Sequence, residues 1–426
     1  MFNKINRFIP EKWHWVLNHG GFRKYFKNTG WMFLGQIISL AMSFFIGAWI
    51  ARYLGPENYG VLSYSIAFAG LFAFIASLGV DGIVSRELVA EPEKKDELLG
   101  TAFVLKLIGG FLASSITIVS IFILETSPLI RALVSLFSLT YIFQATQVIS
   151  LFFQSRVEAK NSVRAQVVAA FISSILKVIL IFSGYGIIWL MVIYVLDSVW
   201  LSLLLFIEYK KRNFNFGKWT LKSSLSKKIL KSSWLLMLSS ASAYIYMKVD
   251  QVMIGKMLGD FSVGIYSAAV KFVEVWYFIP GLICVSLFPA IINAKKIDKS
   301  LYLSRLKNLF LLLLFLSIII AMPTTIFAKW GIKTLFGSEY ILASGVLQIY
   351  IWSGVGLFLG WGINQYLLSE DRINTIFLYN TVSMIMNIGL NFLFIPLFGL
   401  YGAAWATLIS YIVAPVLFFI FRKKEY

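Results

Sequence analysis

Five ionisable side chains fall inside long apolar stretches of the sequence: Lys106, Lys177, Asp197, Lys271 and Glu274. A charge at the centre of a bilayer costs roughly 2.5–3.5 kcal/mol, so each of these groups must face water or a partner. Lysine ammonium groups donate charge-assisted hydrogen bonds to phosphate oxygens, and their attraction for an anion grows where water is excluded. Because the cations outnumber the acids, the set favours a hydrated cavity that attracts an anionic ligand.

The three lysines differ in their surroundings along the chain. Lys271 and Glu274 are three residues apart on one helix face, so they could neutralise each other instead of binding a ligand. Lys106 and Lys177 have no acidic residue close by in the sequence, so they either snorkel to the membrane surface or line the cavity. Their positions deep inside apolar stretches make snorkelling difficult and favour the cavity.

A second group of charged residues lies near the ends of apolar stretches: Arg52, Asp81, Arg86, Lys248 and Asp250. Residues at such positions often only cap a helix or pair across a loop. The sequence leaves this open, and the alternative is that they border the same translocation path.

The elements that must position these residues are membrane helices. The chain has 426 residues, of which 59% are hydrophobic and 14% charged, with a mean hydropathy of +0.80, whereas soluble domains average about 45–50% apolar and about 25% charged residues. A helix of about 20 residues crosses the hydrocarbon core, so a chain of this length has room for about a dozen. The predicted fold is an all-α polytopic membrane protein with twelve transmembrane helices, at 31–50, 61–84, 98–124, 129–153, 165–182, 187–207, 232–248, 263–291, 309–328, 341–367, 375–397 and 403–421.

The distribution of basic residues predicts the topology. If the N-terminus is cytoplasmic, 29 of the 38 lysine and arginine residues fall at cytoplasmic loops or termini, six at external loops and three inside helices. Positively charged loops stay in the cytoplasm, so this asymmetry predicts an even number of spans with both termini inside. The net charge of +18 is then explained by topology and by anionic headgroups, without a nucleic-acid partner.

Two sequence echoes indicate that the chain contains two related halves, an arrangement that is common in secondary transporters. The first echo repeats after 204 residues and the second after 216, pairing Leu54, Gly55, Gly60 and Ser63 with Leu258, Gly259, Gly264 and Ser267, and Tyr185, Gly186 and Trp189 with Tyr401, Gly402 and Trp405. The predicted organisation is a cytoplasmic interfacial segment at 1–28, a six-helix bundle at 29–207, a cytoplasmic loop at 208–231 and a second six-helix bundle at 232–426.

Several kinds of chemistry have no support in the sequence. Cys284 is the only cysteine, so a cysteine-cluster metal site cannot form, and His14 and His19 have no partner cluster in the polar N-terminal segment. No phosphate-binding loop motif is present, which disfavours an ATP-driven pump. A membrane glycosyltransferase, polymerase or ligase would be expected to carry a long external loop with catalytic arginines or histidines, and the external loops here are short. We therefore expect no enzymatic activity, no metal and no cofactor.

The first hairpin carries a specific resemblance to a known family. The runs ARYLGPENYGVLSYS from Ala51 and SLGVDGIVSRELV from Ser77 resemble the polysaccharide-transporter family of O-antigen and capsule flippases, within the multidrug/oligosaccharidyl-lipid/polysaccharide exporter superfamily. The later run GKMLGDFSVGIYSAA from Gly255 resembles the same family more loosely. The resemblance implies a V-shaped pair of six-helix bundles that opens alternately to either side of a bacterial cytoplasmic membrane. It also implies a cargo, a polyprenyl-diphosphate-linked oligosaccharide that moves from the cytoplasmic to the outer leaflet during surface polysaccharide synthesis.

The resemblance also suggests roles for single residues. It places Arg52, Gly55, Pro56 and Gly60 at the first turn, Asp81 and Arg86 at the end of the second span, and Asp250, Lys271 and Glu274 in the second bundle. The predicted site then has two sets of residues. Substrate binding and translocation would involve Arg52, Arg86, Lys106, Lys177 and Lys271, whereas Asp81, Asp250 and Glu274 would couple ions or form salt bridges.

The expected partners are the lipid-linked oligosaccharide and membrane lipids, with the polysaccharide polymerase and glycosyltransferases as further candidates. The main alternative is an ion-coupled small-molecule or multidrug antiporter of the same superfamily. That function would require acidic residues in the bundle cavities, whereas cations predominate inside the apolar segments of this chain. A purely structural membrane scaffold would have no need of buried lysines.

Overall fold

The described part of the chain is built from helices. The computed structural model describes residues 20–370 and 372–422, and no β-strand occurs within those ranges. Most of the predicted interfacial segment, with both histidines, therefore lies outside the described residues. The helices of the first half are α1 (Gly20–Gly70), α2 (Ala73–Ser77), α3 (Asp81–Ala90), α4 (Lys95–Leu124), α5 (Pro128–Ser138), α6 (Thr140–Phe143), α7 (Val148–Ser155), α8 (Lys160–Phe182) and α9 (Ile187–Lys211).

The second half has seven described helices. They are α10 (Ser223–Leu258), α11 (Asp260–Glu274), α12 (Phe278–Ile297), α13 (Lys299–Leu335), α14 (Ala343–Tyr350), α15 (Ser353–Ser369) and α16 (Ile373–Arg422).

Nine segments of the described chain are long and apolar enough to cross a membrane. The protein is therefore a multi-pass helical membrane protein. The count of nine includes α1 and α16 once each, although each of these helices covers two of the predicted spans. It does not include α10, which is more polar. The predicted total of twelve spans stays a prediction.

The repeated Leu-Gly pair marks the same backbone turn in both halves. Helix α1 bends at Gly55, with φ 72° and ψ 167°, and Gly259 separates α10 from α11 with φ 83° and ψ 175°. Only glycine occupies this region of backbone space without strain. The sequence echo is therefore a structural echo, and the conformation explains why glycine stands at both positions.

Immediately after these turns, the two repeats contact each other through their backbones. A Cβ atom on Gly60 of α1 would overlap the carbonyl oxygen of Asp260, and a Cβ atom on Gly264 of α11 would overlap the carbonyl oxygen of Pro56. The two contacts are reciprocal, as expected for two copies of one motif related by an approximate two-fold axis. Because neither glycine has a side chain, α1 and α11 approach each other directly.

The turns gather at two ends of the molecule, which we name after the predicted topology. The outer end holds the turns at Gly55, Gly184, Gly259, Gly337 and Gly399, and the inner end holds the loops near 92, 157, 215 and 298.

At the outer end, polar contacts tie the first half to the second. Tyr340 donates a hydrogen bond to the carbonyl oxygen of Ala51 at 2.7 Å, and Lys256 contacts Glu125 at 2.6 Å. Partial burial raises the pKa of Glu125, but the bonds from Lys256 and the backbone outweigh it and hold this pKa below its usual value. A carboxyl with a lowered pKa stabilises the folded state above its unfolded pKa, so this tie is intact at neutral pH and is lost only in acid.

Apolar packing follows the same division between the two ends. One buried cluster contains residues of both halves around the glycine contact, from Ala48 to Ala404. Two further clusters lie towards the inner end: one runs from Val80 to Ile229 in the first half and the start of α10, and the other from Cys284 to Leu367 in the second half. The halves therefore share a core near the outer end and have separate cores near the inner end.

Candidate functional site

Two of the predicted lysines, Lys177 and Lys271, line one cavity of about 150 Å³ between α1, α8, α9 and α11. Helix α1 contributes residues at intervals of four, Ser39, Ser43 and Gly47, which is the spacing of one helix face. We call this space the lysine cavity. Its other polar lining residues are Ser173, Ser174, Tyr194 and Asp197.

Lys177 has an acidic partner from a different helix. Its Nζ lies 2.6 Å from Oδ2 of Asp197 on α9 and 4.2 Å from the centre of the Tyr194 ring. The other carboxylate oxygen of Asp197, together with the hydroxyls of Ser39 and Ser173, is buried without a hydrogen-bond partner in the described chain. Buried polar atoms are normally paired, so these three groups are available to a ligand or to water.

Lys271 differs from Lys177 in having a neutral partner. Its Nζ donates a hydrogen bond of 3.2 Å to the hydroxyl of Ser43, and Lys271 forms no ion pair with any acidic group of the described residues. A Cβ atom on Gly47 would lie 3.1 Å from Cε of Lys271, so the glycine leaves space for the lysine stem. Since the Lys177–Asp197 pair is internally neutral, Lys271 gives the lysine cavity an excess positive charge.

Glu274 is paired with Lys248 of α10, and not with the lysine on its own helix face. Lys248 Nζ lies 2.7 Å from Oε1 of Glu274, so Glu274 is engaged with Lys248 and forms no ion pair with Lys271. Lys248 was expected at the end of a span, but α10 continues to Leu258 and places it well inside the helix. Asp250 lies on the same helix, 2% exposed, where it accepts a hydrogen bond of 2.5 Å from Tyr266.

The other predicted residues lie away from the lysine cavity. Lys106 is 1% exposed and its Nζ contacts Oδ1 of Asp81 at 2.7 Å, within the first half. Arg52 donates to the carbonyl oxygen of Thr334 at the outer end, and Arg86 is exposed near the inner end. The structure thus brings together two of the five predicted substrate-binding residues.

Sequence reasoning missed the hydroxyl groups of the lysine cavity. On α1, Ser39 and Ser43 are followed at the helical period by Gly47. On α8, Ser173 is followed at the same period by Lys177. That period is visible in the sequence once the polar residues inside the apolar segments are read with the charged ones. In the described chain, no group of three or more histidine, cysteine or acidic side chains is positioned to hold a metal.

The Lys177–Asp197 contact supports a stability prediction. Removing one partner leaves a poorly solvated charge, which costs about 3–5 kcal/mol for a fully buried pair and less here, because Asp197 is 32% exposed. We expect Lys177→Met to lower the thermal unfolding midpoint in detergent more than Lys177→Met combined with Asp197→Leu does. A loss in the double variant equal to the sum of the losses in Lys177→Met and Asp197→Leu would show that the two groups are not coupled.

The fold is that of a known class of membrane transporter. Over 94% of its length, the chain superposes on 87% of the lipid II flippase MurJ in an inward closed conformation, with a TM-score of 0.70 and 17% identity. It matches a multidrug resistance MATE family transporter of the MOP superfamily, in an inward-facing conformation, with a TM-score of 0.72 and 16% identity, over 92% of this chain and 98% of that one. At these identities, the likeness establishes the fold.

Sequence comparison identifies the family. The profile of the polysaccharide biosynthesis protein family matches residues 25–295, well over half of the chain, and the chain belongs to this family. The probable low-salt glycan biosynthesis flippase Agl15 of Haloferax volcanii is 25% identical over 397 residues, which cover 91% of this chain and 81% of that protein. The resemblance read from the first hairpin is thereby confirmed.

Proposed function

We propose that this protein flips a polyprenyl-diphosphate-linked oligosaccharide from the cytoplasmic to the outer leaflet by alternating access. The observation that carries the proposal is the excess positive charge of Lys271 in a polar cavity between the two halves. The similarity to a probable glycan flippase supports the same class of cargo. Surface polysaccharide synthesis, of an O-antigen, capsule or exopolysaccharide, is the process that would use such a cargo.

The diphosphate is the part of this cargo that the lysine cavity suits. Phosphate oxygens would replace the neutral hydroxyl of Ser43 as acceptors from Lys271, giving shorter and stronger charge-assisted hydrogen bonds. Lys177 lies in the same cavity and can contribute a second cation if the anion competes with Asp197 for it. The sugars would share the cavity while the lipid tail stays in the bilayer.

Alternating access is supported by the way the halves meet. We propose twelve spans in two bundles, 29–207 and 232–426, around a V-shaped cavity that opens at the inner end, with 208–231 as the cytoplasmic connection. Counting the two segments of α1 and of α16 separately, and adding α10, gives twelve. The shared core near the outer end and the separate cores near the inner end fit closure on the outer side.

The topology has a direct test. Alkaline phosphatase folds to an active enzyme only outside the cytoplasm, so a fusion at Lys218, in the connection between α9 and α10, should be inactive. A fusion at Gly184, in a turn predicted to be external, should be active. Activity at Lys218 would invert the proposed orientation in the bacterial cytoplasmic membrane.

The membrane potential can assist this transport. An inside-negative potential favours outward movement of an anion by about 2.3 kcal/mol per charge per 100 mV. Asp250 and Glu274 remain the candidate coupling carboxylates. Glu274 is already neutralised by Lys248, so Asp250, which is bonded to a tyrosine hydroxyl and not to a cation, is the better candidate.

The competing function is an ion-coupled multidrug antiporter, which the likeness to the MATE transporter fold favours. Most such drugs are cations, and the excess charge of the lysine cavity would repel them. The two functions are separated by the sign of the charge of the transported molecule.

Transport can be measured in inverted membrane vesicles, whose cytoplasmic face is outward, prepared from source cells with and without this protein. The lipid-linked oligosaccharide is built from labelled sugar nucleotides together with the cell's glycosyltransferases, and its protection from an impermeant glycosidase is followed. We expect protection that depends on the protein. Equal protection in both preparations, with uptake of a cationic dye into the vesicles only when the protein is present, would favour the antiporter.

A further inference from the structure

A second polar cavity, of about 270 Å³, lies on the inner side of the lysine cavity in the first half. It is lined by side chains from α1, α3, α7, α8 and α9 and from the short segment Gln144–Gln147. Four of its lining residues are glutamines, so we call it the amide cavity; its polar groups include Gln36, Gln147, Gln154, Gln166, Ser150 and Asp81.

The four glutamine side chains of the amide cavity make no hydrogen bond to another protein group of the described chain. Carboxamides placed against hydrocarbon without partners would cost several kcal/mol each. Gln36 and Gln166 lie on α1 and α8, which are otherwise strongly apolar helices. Their donors and acceptors are therefore met by water or by a polar ligand inside the cavity.

The amide cavity has no excess charge. Its one carboxylate, Asp81, is paired at 2.7 Å with Lys106, which is buried behind it and does not line the cavity. Lys106 holds Oδ1 of Asp81 and leaves Oδ2 as an acceptor towards the cavity. An anion would gain little here compared with the lysine cavity, so the ligand that fits best is neutral and rich in hydroxyl groups.

Glutamine side chains suit such a ligand. Each carboxamide offers two donors and an acceptor in one plane, and a hydroxyl group both donates and accepts. Adjacent hydroxyls on a sugar ring can therefore bond to the donor and the acceptor of one amide together. A carboxylate such as Asp81 adds an acceptor for a further hydroxyl.

The amide cavity and the lysine cavity lie along the same two helix faces. On α1, the lining residues follow each other at helical spacing from Gln36 through Ser39 to Ser43, and on α8 they run from Gln166 through Ser173 to Lys177. At a rise of 1.5 Å per residue, Gln36 and Ser43 are about 10 Å apart along the axis, and Gln166 and Lys177 about 16 Å. A diphosphate near Lys271 would therefore place the attached sugars towards the amide cavity.

We propose that the amide cavity binds uncharged sugar residues of the cargo, beyond those next to the diphosphate, and so selects the glycan. The inference rests on the proposed flippase function and adds to it a recognition site for the saccharide. Asp81 and the glutamines contact the sugar, whereas Lys106 is a positioning residue that orients Asp81 through its contact with Oδ1.

The test uses two labelled probes with the purified full-length protein in equilibrium dialysis. The first is geranyl diphosphate, which has no sugar; the second is the oligosaccharide released from the lipid-linked pool of the source cells, which has no lipid or diphosphate. The test variant is Gln36→Met combined with Gln166→Met, which removes two amides at nearly constant volume. The control is Gln144→Met, since Gln144 belongs to the same short segment as Gln147 but does not line the amide cavity.

We expect the double variant to bind the oligosaccharide at least tenfold more weakly and geranyl diphosphate within twofold of the wild-type affinity. Lys271→Met should show the opposite pattern, and added salt should weaken only the diphosphate. If the wild type binds geranyl diphosphate but not the oligosaccharide, or if the double variant binds the oligosaccharide normally, the amide cavity is not a sugar site while the flippase proposal stands. If the wild type binds neither probe, both proposals fall. Unchanged unfolding midpoints show that the variants are folded.

Discussion

The initial rate of glycan flipping is expected to fall about tenfold to 100-fold when Lys271 is replaced by methionine. A hydrogen bond to a charged group contributes about 1.5–3 kcal/mol, and each 1.36 kcal/mol changes a rate or a binding constant tenfold. Lys271 is the cation of the lysine cavity whose only hydrogen-bond partner in the described chain is the neutral Ser43. Removing its charge takes away the excess positive charge of the site while methionine fills the space of the stem.

Two variants make the measurement specific. Lys271→Arg retains the charge and should retain most of the rate, although Arg is bulkier and the space beside Gly47 is narrow. Lys329→Met removes a lysine from the exposed surface of α13 and should leave the rate unchanged. If Lys271→Met flips the glycan at the wild-type rate in the vesicle assay, the lysine cavity does not bind the anionic part of the cargo.

The helical membrane fold was predictable from the sequence because hydropathy and charge distribution are strong signals. The repeat was also visible, and Gly55 and Gly259 share a conformation that only glycine adopts readily. What the sequence could not provide was the contact between the repeats, since nothing in either copy states that Gly60 and Gly264 face each other. The span boundaries were predicted less well. Helix α10 continues ten residues beyond Lys248, because Asp250, Gln251 and Lys256 end the apolar pattern without ending the helix.

The charged residues of the site were predicted from the sequence, but the ion pairs that they form were not. The ionisable residues inside the apolar segments were identified, and Lys177 and Lys271 do share one cavity. The partners of Lys177 and Glu274 were not predicted, since Asp197 and Lys248 come from other helices and long-range pairing leaves no local trace. Lys106, expected to line a cavity, lies behind Asp81 for the same reason.

The amide cavity was missed because only charged residues were considered inside the apolar segments. Uncharged glutamines also carry a desolvation cost in a membrane helix, so their positions hold the same kind of information. Gln147, Gln154, Ser150 and Gln166 come from neighbouring stretches of chain, which a search for polar residues in apolar segments would have found. Their convergence with Gln36 requires the packing of α1 against α8, which only the structure provides.

The second prediction follows from the contact between the repeats. We expect Gly264→Ala to disrupt closure at the outer end. The new Cβ would overlap the backbone carbonyl oxygen of Pro56, and a backbone atom cannot rotate away as a flexible side chain could. Overpacking of this kind lowers the free energy of unfolding by about 1–3 kcal/mol. Gly60→Ala should have a similar effect through Asp260, and the two substitutions together should cost less than their sum because either one separates α1 from α11.

Closure can be measured with Ser43→Cys in a Cys284→Ala background, because Ser43 lines the lysine cavity and the native thiol is buried. An impermeant maleimide applied from outside should label Ser43→Cys slowly, and Gly264→Ala should raise the labelling rate several-fold while it lowers the unfolding midpoint. Gly389→Ala is the matched control, since a Cβ there meets no atom within 4 Å and alanine favours a helix. Unchanged labelling and stability in Gly264→Ala would mean that the glycine contact is not what keeps the lysine cavity closed to the outside, and outward opening would then have to be sought elsewhere along α1 and α11.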